Sequence, residues 1–484
     1  MGEFGRWTAV ELLRAYRQRQ LSPVEVVASA LARIEETQPR LNAFYEVHAD
    51  QALREARESE RRWRDGSPLG ALDGIPTSIK DALPVRGSPS YRGSAANNAA
   101  GRSWDVDAPC VARLREAGAI SLGRTTMPDF GILASGASTK HGVTRNPWDP
   151  SRNPGGSSAG AAAAIAAGIH PLAVGTDIVG SIRLPASFCG LFGHKPSQGR
   201  VPYYFPNSPA LVAGPMARTV ADAALLLTVI ARPDRRDFTA LPSGDVDYPE
   251  ALAGDVPRGR IAILHHIGFG PPLDPEVAAC FERGVALMAE LGFEIVPVAS
   301  PFEPAQQEAA EWFYRARYGA ELSSFPPEVR KLSPVVHDWA RPAGDLGAID
   351  LIRHMNTVLR MREQAVRLLD GFAFLLMPTV PVPPYAAELP GLDPARIFDP
   401  WSNTFPFNFS EQPAASIACG LTRANQKCGG LPVGLQIVGH RFDDVGVLRL
   451  SRLFEEARGN FPMPEGNSEI IPAPSAKPVT AASP

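Results

Sequence analysis

Residues 155–183 read GGSSAGAAAAIAAGIHPLAVGTDIVGSIR, two Gly/Ser clusters joined by a run of very small residues. The Ala run predicts a helix over 159–167, closed by Gly168, and PLAVGTD (171–177) predicts the strand after it. Gly155–Ser158 sit just before the helix, where unpaired backbone N–H groups gather at its positive end. Asp177 to Ser181 follow the strand, where successive N–H groups can turn inward as a nest for an anionic oxygen. Small side chains let helix and strand pack closely, so the two clusters can meet. Either cluster alone reads as a plain turn; the pair flanking one helix–strand unit points to a site.

Outward from this unit, short apolar strands alternate with helices. Two amphipathic helices are expected within 8–36, starting at Thr8 and at Ser22-Pro23, and another over 49–64. A strand-like run lies in ALDGIPTSIKDALPV, and a helix at 108–121 leads into AISLGRTT. Residues 135–160 carry almost no regular pattern, and 217–231 read as helix. Strands at 259–264 and 293–298 bracket a helix at 274–291; buried strands at 372–379 and 431–439 precede a closing helix at 443–457. The mixture predicts an α/β fold. Residues 300–405 show poor periodicity and many aromatics, among them Trp312, Phe313, Tyr314, Tyr318, Phe325 and Trp401. No internal linker is visible, so residues 1–463 are expected to form one large domain, with 464–484 a disordered Pro/Ala/Ser-rich tail.

Gly156-Ser157-Ser158-Ala159-Gly160 also fits the GxSxG turn in which a serine follows a strand directly. Here NPWDPSRNP precedes it, and its three prolines do not belong in a central strand. That reading is rejected. Lys80 lies inside the apolar run GIPTSIKDALPV, where a lysine is ordinarily a snorkelling or ion-paired side chain, here beside Asp81. Yet the chain has 48 basic residues of which only six are lysine. A lysine kept in an arginine-rich chain suggests that reversible deprotonation matters, since arginine stays charged while a buried lysine can become neutral. Both readings of Lys80 stay open at this level.

The formal net charge of -3 gives no basic excess of the kind that nucleic acid or an anionic membrane attracts. Nine scattered histidines provide neither HExxH nor another metal-ligand spacing. Cys110, Cys189, Cys280, Cys419 and Cys428 are odd in number and contain no CxxC pair, so free buried thiols in a reducing compartment are expected. Residues 1–20 are amphipathic without an apolar targeting run, and no stretch nears the about 20 apolar residues of a membrane span. A cytoplasmic protein without metal or cofactor is expected.

The sequence resembles the amidase signature family. That family's hallmark runs GGSSGG, then small residues, then GTDxGGSIRxPAxFCGxxGxKP; this chain has GGSSAG and GTDIVGSIRLPASFCGLFGHKPS. Further matches are LSPVEVV, LDGIPTSIKD, GRTTMPDFG, TRNPWDPSRNPGGSS, GPMARTVADAALLL, LLMPT and GLPVGLQIVG, leaving 300–405 and the tail outside. The resemblance implies a large mixed, mostly parallel central sheet covered by helices on both faces. It also implies a Ser–cis-Ser–Lys triad: Ser181 as nucleophile, Ser157 after a cis peptide bond, Lys80 as base. The N–H groups of Ile178, Val179, Gly180 and Ser181 fall where the family has its oxyanion hole, and Ser158, Asp177 and Arg183 match supporting residues. Two departures stand out: Ala159 and Val179 each occupy a position where glycine is usual, and a β-branched Val179 calls for negative φ.

The family's substrates range from aliphatic amides through anilides and carbamates to glutamine. An amidase acting on a small apolar or aryl amide, anilide or carbamate is expected, with specificity set by the aromatic 300–405 region. The alternative is a glutaminase-type subunit of a tRNA-dependent amidotransferase, which needs protein partners and tRNA. A catalytically dead binding protein is disfavoured because all three triad positions are intact. The oligomeric state, monomer or homodimer, is left open.

Overall fold

A computed structural model describes residues 4–204, 208–242, 246–393, 396–423 and 430–464. The strands are β1 (Phe44–Val47), β2 (Pro76–Lys80), β3 (Ile120–Thr125), β4 (Ala137–Ser138), β5 (Gly142–Val143), β6 (Leu172–Asp177), β7 (Phe192–Lys195), β8 (Val212–Ala217), β9 (Arg260–Ile263), β10 (Glu294–Pro297), β11 (Phe374–Pro378), β12 (Ala414–Leu421) and β13 (Pro432–Val438). Eleven of them form one sheet in the order β1-β3-β2-β6-β8-β7-β12-β13-β11-β9-β10, with β4 and β5 as a separate pair.

The sheet is large and mixed, as the resemblance implies. Parallel pairing occupies its two wings, β3-β2-β6 and β11-β9-β10. From β6 through β8, β7, β12 and β13 to β11 every neighbour is antiparallel, so "mostly parallel" describes the wings rather than the whole. Helices lie on both faces. In β13, a Cβ on Gly434 would meet Ser187 of the helix Arg183–Cys189, while its neighbour Leu435 touches Gly284 of the helix Pro275–Glu290. Successive strand residues point to opposite faces, so these two helices sit on opposite sides.

Local chemistry explains the elements that the sequence pattern marks. Thr8 and Ser22 cap the helices Ala9–Arg17 and Pro23–Leu41, each through a reciprocal capping box with Glu11 and Glu25. The helix Ala159–Ala166 is buried at every residue, and Gly168 follows it at φ +71°. The chief departure lies in 300–405. It holds two 20-residue helices, Pro304–Ser323 and Ala348–Arg367, packed on one another. Their pattern is masked because polar residues are turned inward: Gln306 bonds Gln364, and Gln307 donates to Asp399 at 2.9 Å. The sequence pattern also leaves β1, β7, β8 and β12 unmarked. β7 (FGHK), β8 (VAGPMA) and β12 (AASIACGL) are rich in Gly, Ala or Pro, which carry little strand propensity.

Cys110, Cys189, Cys280 and Cys419 are free and buried; Cys428 and the tail 465–484 lie outside the described residues. Among the described residues no helix is long and apolar enough to cross a membrane.

Candidate active site

β2 ends at Lys80 in the parallel wing, and β6 beside it ends at Asp177. The sheet therefore delivers Lys80 and the residues after Asp177 to the same edge. The helix Ala159–Ala166 packs against β2, β3 and β6, bringing Ser157 and Ser158 to that edge from its N-terminal side. The small residues permit this approach: a Cβ on Gly160 would come within 2.3 Å of the Ala43 carbonyl. The Gly156–Ser157 peptide bond is cis, as the resemblance implies.

Lys80 is 1% exposed, and its Nζ lies 2.9 Å from Ser157 Oγ, 2.9 Å from Ser158 Oγ and 2.8 Å from Thr176 Oγ1. Three hydroxyls suit an ammonium donating three times, or an amine donating twice and accepting once. Among the described residues no carboxylate touches the nitrogen. Burial pulls the Lys80 pKa down to about 7, against the opposing influence of Asp177 and Asp81. Asp81 does not pair with Lys80. It accepts from Tyr45 Oη at 3.1 Å and Gly93 N at 2.7 Å, and lies 3.1 Å from His141 Nε2.

Ser181 is 1% exposed and its Oγ has no hydrogen-bond partner among the described residues. Ser157 and Ser181 line one cavity. The loop before Ser181 is held by its carbonyls. Ile178 O accepts from Tyr314 Oη at 3.1 Å, Val179 O from the Thr404 hydroxyl, and Gly180 O from Leu184 N at 2.8 Å. In a trans peptide the N–H points opposite to the carbonyl of its own plane. The N–H groups of Val179, Gly180 and Ser181 are thereby turned away from these anchors, and none donates to an acceptor among the described residues. Val179 is not among the residues with positive φ, whereas Gly180 adopts φ +138°. The valine thus fits without strain because the glycine beside it takes the unusual conformation.

Asp177 and Arg183 form a fully buried fork–fork pair at 3.0 and 3.1 Å. Arg183 also reaches Gln436, Thr404 O and Asn408, and Asn408 donates back to Asp177 at 2.7 Å. Every partner is satisfied, which such a buried pair requires. The pair sits under the 178–181 loop, with Asp177 also accepting from Ile182 N at 3.1 Å.

All nine residues singled out in the sequence converge here. Others were missed. Thr176 belongs to the quoted GTD run, and its strand position beside Lys80 could have flagged it. Arg317 and Thr404 come from 300–405, and Arg92 from a loop, with no local pattern to mark them, whereas Tyr314 and Tyr318 are among the aromatics that the sequence marks in that region. Among the described residues no group of three His, Cys, Asp or Glu side chains could hold a metal ion.

Residues 25–448 match the sequence model of the Amidase family, and the chain belongs to the amidase signature family. It is an enzyme of the class that hydrolyses carbon–nitrogen bonds in linear amides. It is 34% identical over 491 residues to a component of the glutamyl-tRNA(Gln) amidotransferase of Chloroflexus aurantiacus, covering 94% of this chain and 97% of that protein. It is 32% identical over 472 residues to an acylamidase of Rhodococcus erythropolis, covering 93% and 95%. The crystal structure of a bacterial aryl acylamidase of the amidase signature family superposes with a TM-score of 0.85 at 32% identity, covering 93% of this chain and 96% of that one.

Proposed function

We propose that the protein hydrolyses a small amide through an acyl-serine intermediate on Ser181. The observation that carries this reading is the Lys80 amine, buried, without a carboxylate partner, and ringed by the hydroxyls of Ser157, Ser158 and Thr176. An alcohol attacks a carbonyl only when its proton has somewhere to go. Neutral Lys80 accepts the proton of Ser157, Ser157 takes that of Ser181, and the Ser181 oxygen bonds to the amide carbon. The oxygen left negative is met by the N–H groups of Val179, Gly180 and Ser181, with Ile178 at the edge of the same nest. A single donor of this kind contributes about 2.7–4 kcal/mol to the transition state. As the C–N bond breaks, Ser157 protonates the departing nitrogen and is reprotonated by Lys80. Water then attacks the acyl-serine by the same route, releasing the acid and restoring Ser181.

The cavity wall is formed largely by Met127, Phe130, Ile178, Tyr203, Leu211 and Tyr318, which supports a small apolar or aryl acyl part. The second reading, a glutaminase-type subunit of a tRNA-dependent amidotransferase, is favoured by the names of several relatives at 32–34% identity. One experiment separates the two. The purified chain alone is assayed against p-nitroanilides, aliphatic amides, carbamates and glutamine, with Ser181→Ala as control. Turnover of anilides without partners, abolished in Ser181→Ala, supports the free amidase. Ammonia release from glutamine only, and only with added partners, supports the amidotransferase reading. Fluorophosphonate treatment followed by peptide mapping should place the adduct on Ser181; an adduct on Ser158 would overturn the assignment.

A further inference from the structure

A second cavity lies on the other side of residues 208–211 from the one beside Ser181. Leu211 lines the Ser181 cavity, whereas Ser208, Pro209 and Ala210 line this one. Its remaining walls come largely from the helix Ala348–Arg367 and from Phe409. Ala210, Phe238, Met355, Val358, Leu359 and Phe409 make most of the lining apolar. Phe238 is 87% exposed and Leu359 51%, so large apolar side chains stand in water at this cavity, an exposure that marks binding surfaces. The charges present are matched: Arg362 and Glu411, the ionisable side chains of the described lining, pair with each other at 2.9 Å. Of the buried side-chain polar atoms in this lining, Gln198 Oε1 alone has no hydrogen-bond partner among the described residues. The Gln198 side-chain nitrogen donates to Leu211 O at 3.2 Å, which fixes the orientation of the amide and leaves Oε1 facing away from that carbonyl.

We propose that this cavity is a second ligand site, taking a small neutral aromatic molecule that carries one amine or hydroxyl donor. The apolar walls and the rings of Phe238 and Phe409 favour an aromatic body. A charged ligand would have to break the Arg362–Glu411 pair or lie without a counter-charge. A donor on the ring meets Gln198 Oε1, a buried acceptor that is costly to leave without a hydrogen bond. An arylamine meets these conditions, and an arylamine is also what an anilide releases on cleavage. The site itself does not depend on the amide-hydrolase reading above; only the source of its occupant does. Its wall also bears on the catalytic side. Asn408 Nδ2 donates to Ala210 O at 3.2 Å and to Asp177 Oδ1 at 2.7 Å. Asp177 sits with Arg183 under the 178–181 loop, so an occupant that shifts Ala210 acts on the support of that loop.

Calorimetric titration of the full chain with aniline and with toluene, its near-isostere without a donor, tests the site at neutral pH. Aniline is expected to bind at least about tenfold more tightly than toluene, the worth of one hydrogen bond to an otherwise unpaired acceptor. Gln198→Met keeps the side chain's length and removes the acceptor, so the two ligands should become equal. Met355→Trp together with Leu359→Trp narrows the cavity from its helix and should abolish binding of both; thermal melting confirms that each variant is folded. Equal affinities in the wild type, a preference that survives Gln198→Met, aniline binding that survives the two tryptophans, or no binding of either ligand overturns the proposal. The source of the occupant is read from anilide hydrolysis with added aniline. A fall in kcat that the two tryptophans relieve identifies the amine released at Ser181. Aniline that fills the site and leaves kcat unchanged assigns it to an arylamine from outside the reaction. Absence of anilide hydrolysis altogether would count against the amide reading and leave the calorimetric test standing.

Discussion

Lys80 and Ser157, 77 residues apart in sequence, meet at 2.9 Å where the end of β2 faces the loop before the helix Ala159–Ala166. The contact joins the sheet to the Gly/Ser cluster, and Lys80 is fully enclosed when it is made. Lys80→Arg tests whether a removable proton or merely a positive charge is needed there. Arginine does not surrender its proton at any usable pH, so the proposed relay through Ser157 to Ser181 loses its terminus. Amide hydrolysis should fall at least about 100-fold, the lower end for a positioned general base. Activated esters should suffer less, because their leaving group needs no proton. Circular dichroism and thermal melting accompany the assay, since a guanidinium is bulkier than the amine it replaces. A folded Lys80→Arg enzyme with near wild-type amide hydrolysis would remove Lys80 from the mechanism.

The pH dependence follows from the same nitrogen. Burial sets the Lys80 pKa at about 7, and only the neutral form can accept a proton. The profile of kcat/KM should therefore rise with pH, with its midpoint near that value, and level off on the alkaline side. Asp81 raises the Lys80 pKa by its charge, so Asp81→Asn should move the midpoint toward lower pH. A profile flat from pH 5 to about 9 would speak against lysine as the base. Chelators should leave the rate unchanged.

How much of this was readable in the sequence depends on how far each signal is local. The meeting of Ser157 with Ser181 was legible because the 23 residues between them form one compact helix–strand unit of small side chains. Lys80 could be given two readings from composition alone; its three hydroxyl neighbours and lack of an acidic partner needed the sheet order. The anchors of the 178–181 loop were invisible. Tyr314 and Thr404 act over 136 and 225 residues, from a region whose aromatics looked only like a pocket wall. Arg92 and Arg317 join the cavity for the same non-local reason. Within the central antiparallel stretch β7, β8 and β12 were hidden because they carry Gly, Ala and Pro, their stability coming from burial between helices rather than from propensity.

Gly180 is where the loop tolerates least. Its φ of +138° disfavours any side chain, and a Cβ there would lie 2.2 Å from Thr404 Oγ1. That hydroxyl holds the Val179 carbonyl, which fixes the direction of the Gly180 N–H. Gly180→Ala should therefore lower kcat for amides by about 100- to 1000-fold, the cost of losing one oxyanion donor. Thr404→Val, which removes the hydroxyl without adding bulk at 180, should be milder and act in the same direction. Steady-state kinetics on a shared substrate checks both; an unimpaired Gly180→Ala would separate this loop from oxyanion binding.

Lys195 supplies a stability test independent of catalysis. It is 1% exposed, its Nζ donates to Pro196 O at 3.0 Å, and burial lowers its pKa to about 7. Unfolded, it titrates near its ordinary value of 10.5. Between these two values the unfolded chain binds more protons than the folded one, so stability must rise with pH across that window. Below the folded pKa both states are protonated and the full cost of a buried charge is present. Lys80 contributes a dependence of the same sign. The buried cysteines and tyrosines oppose it only above their ordinary values, at pH 9.0 and beyond. From pH 6.5 to 8.5 the lysines should thus dominate the alkaline side, and the unfolding free energy should climb by at least about 1 kcal/mol, roughly one pKa unit's worth. Lys195→Met removes one of the two contributions. Its stability relative to wild type should be most favourable at pH 6.5 and decline steadily toward pH 8.5, as the wild-type lysine loses its charge. Chemical denaturation of both proteins at several pH values gives the difference directly. A Lys195→Met difference that stays constant across this range would mean that Lys195 titrates alike in the folded and unfolded chains, and that its burial carries no proton linkage.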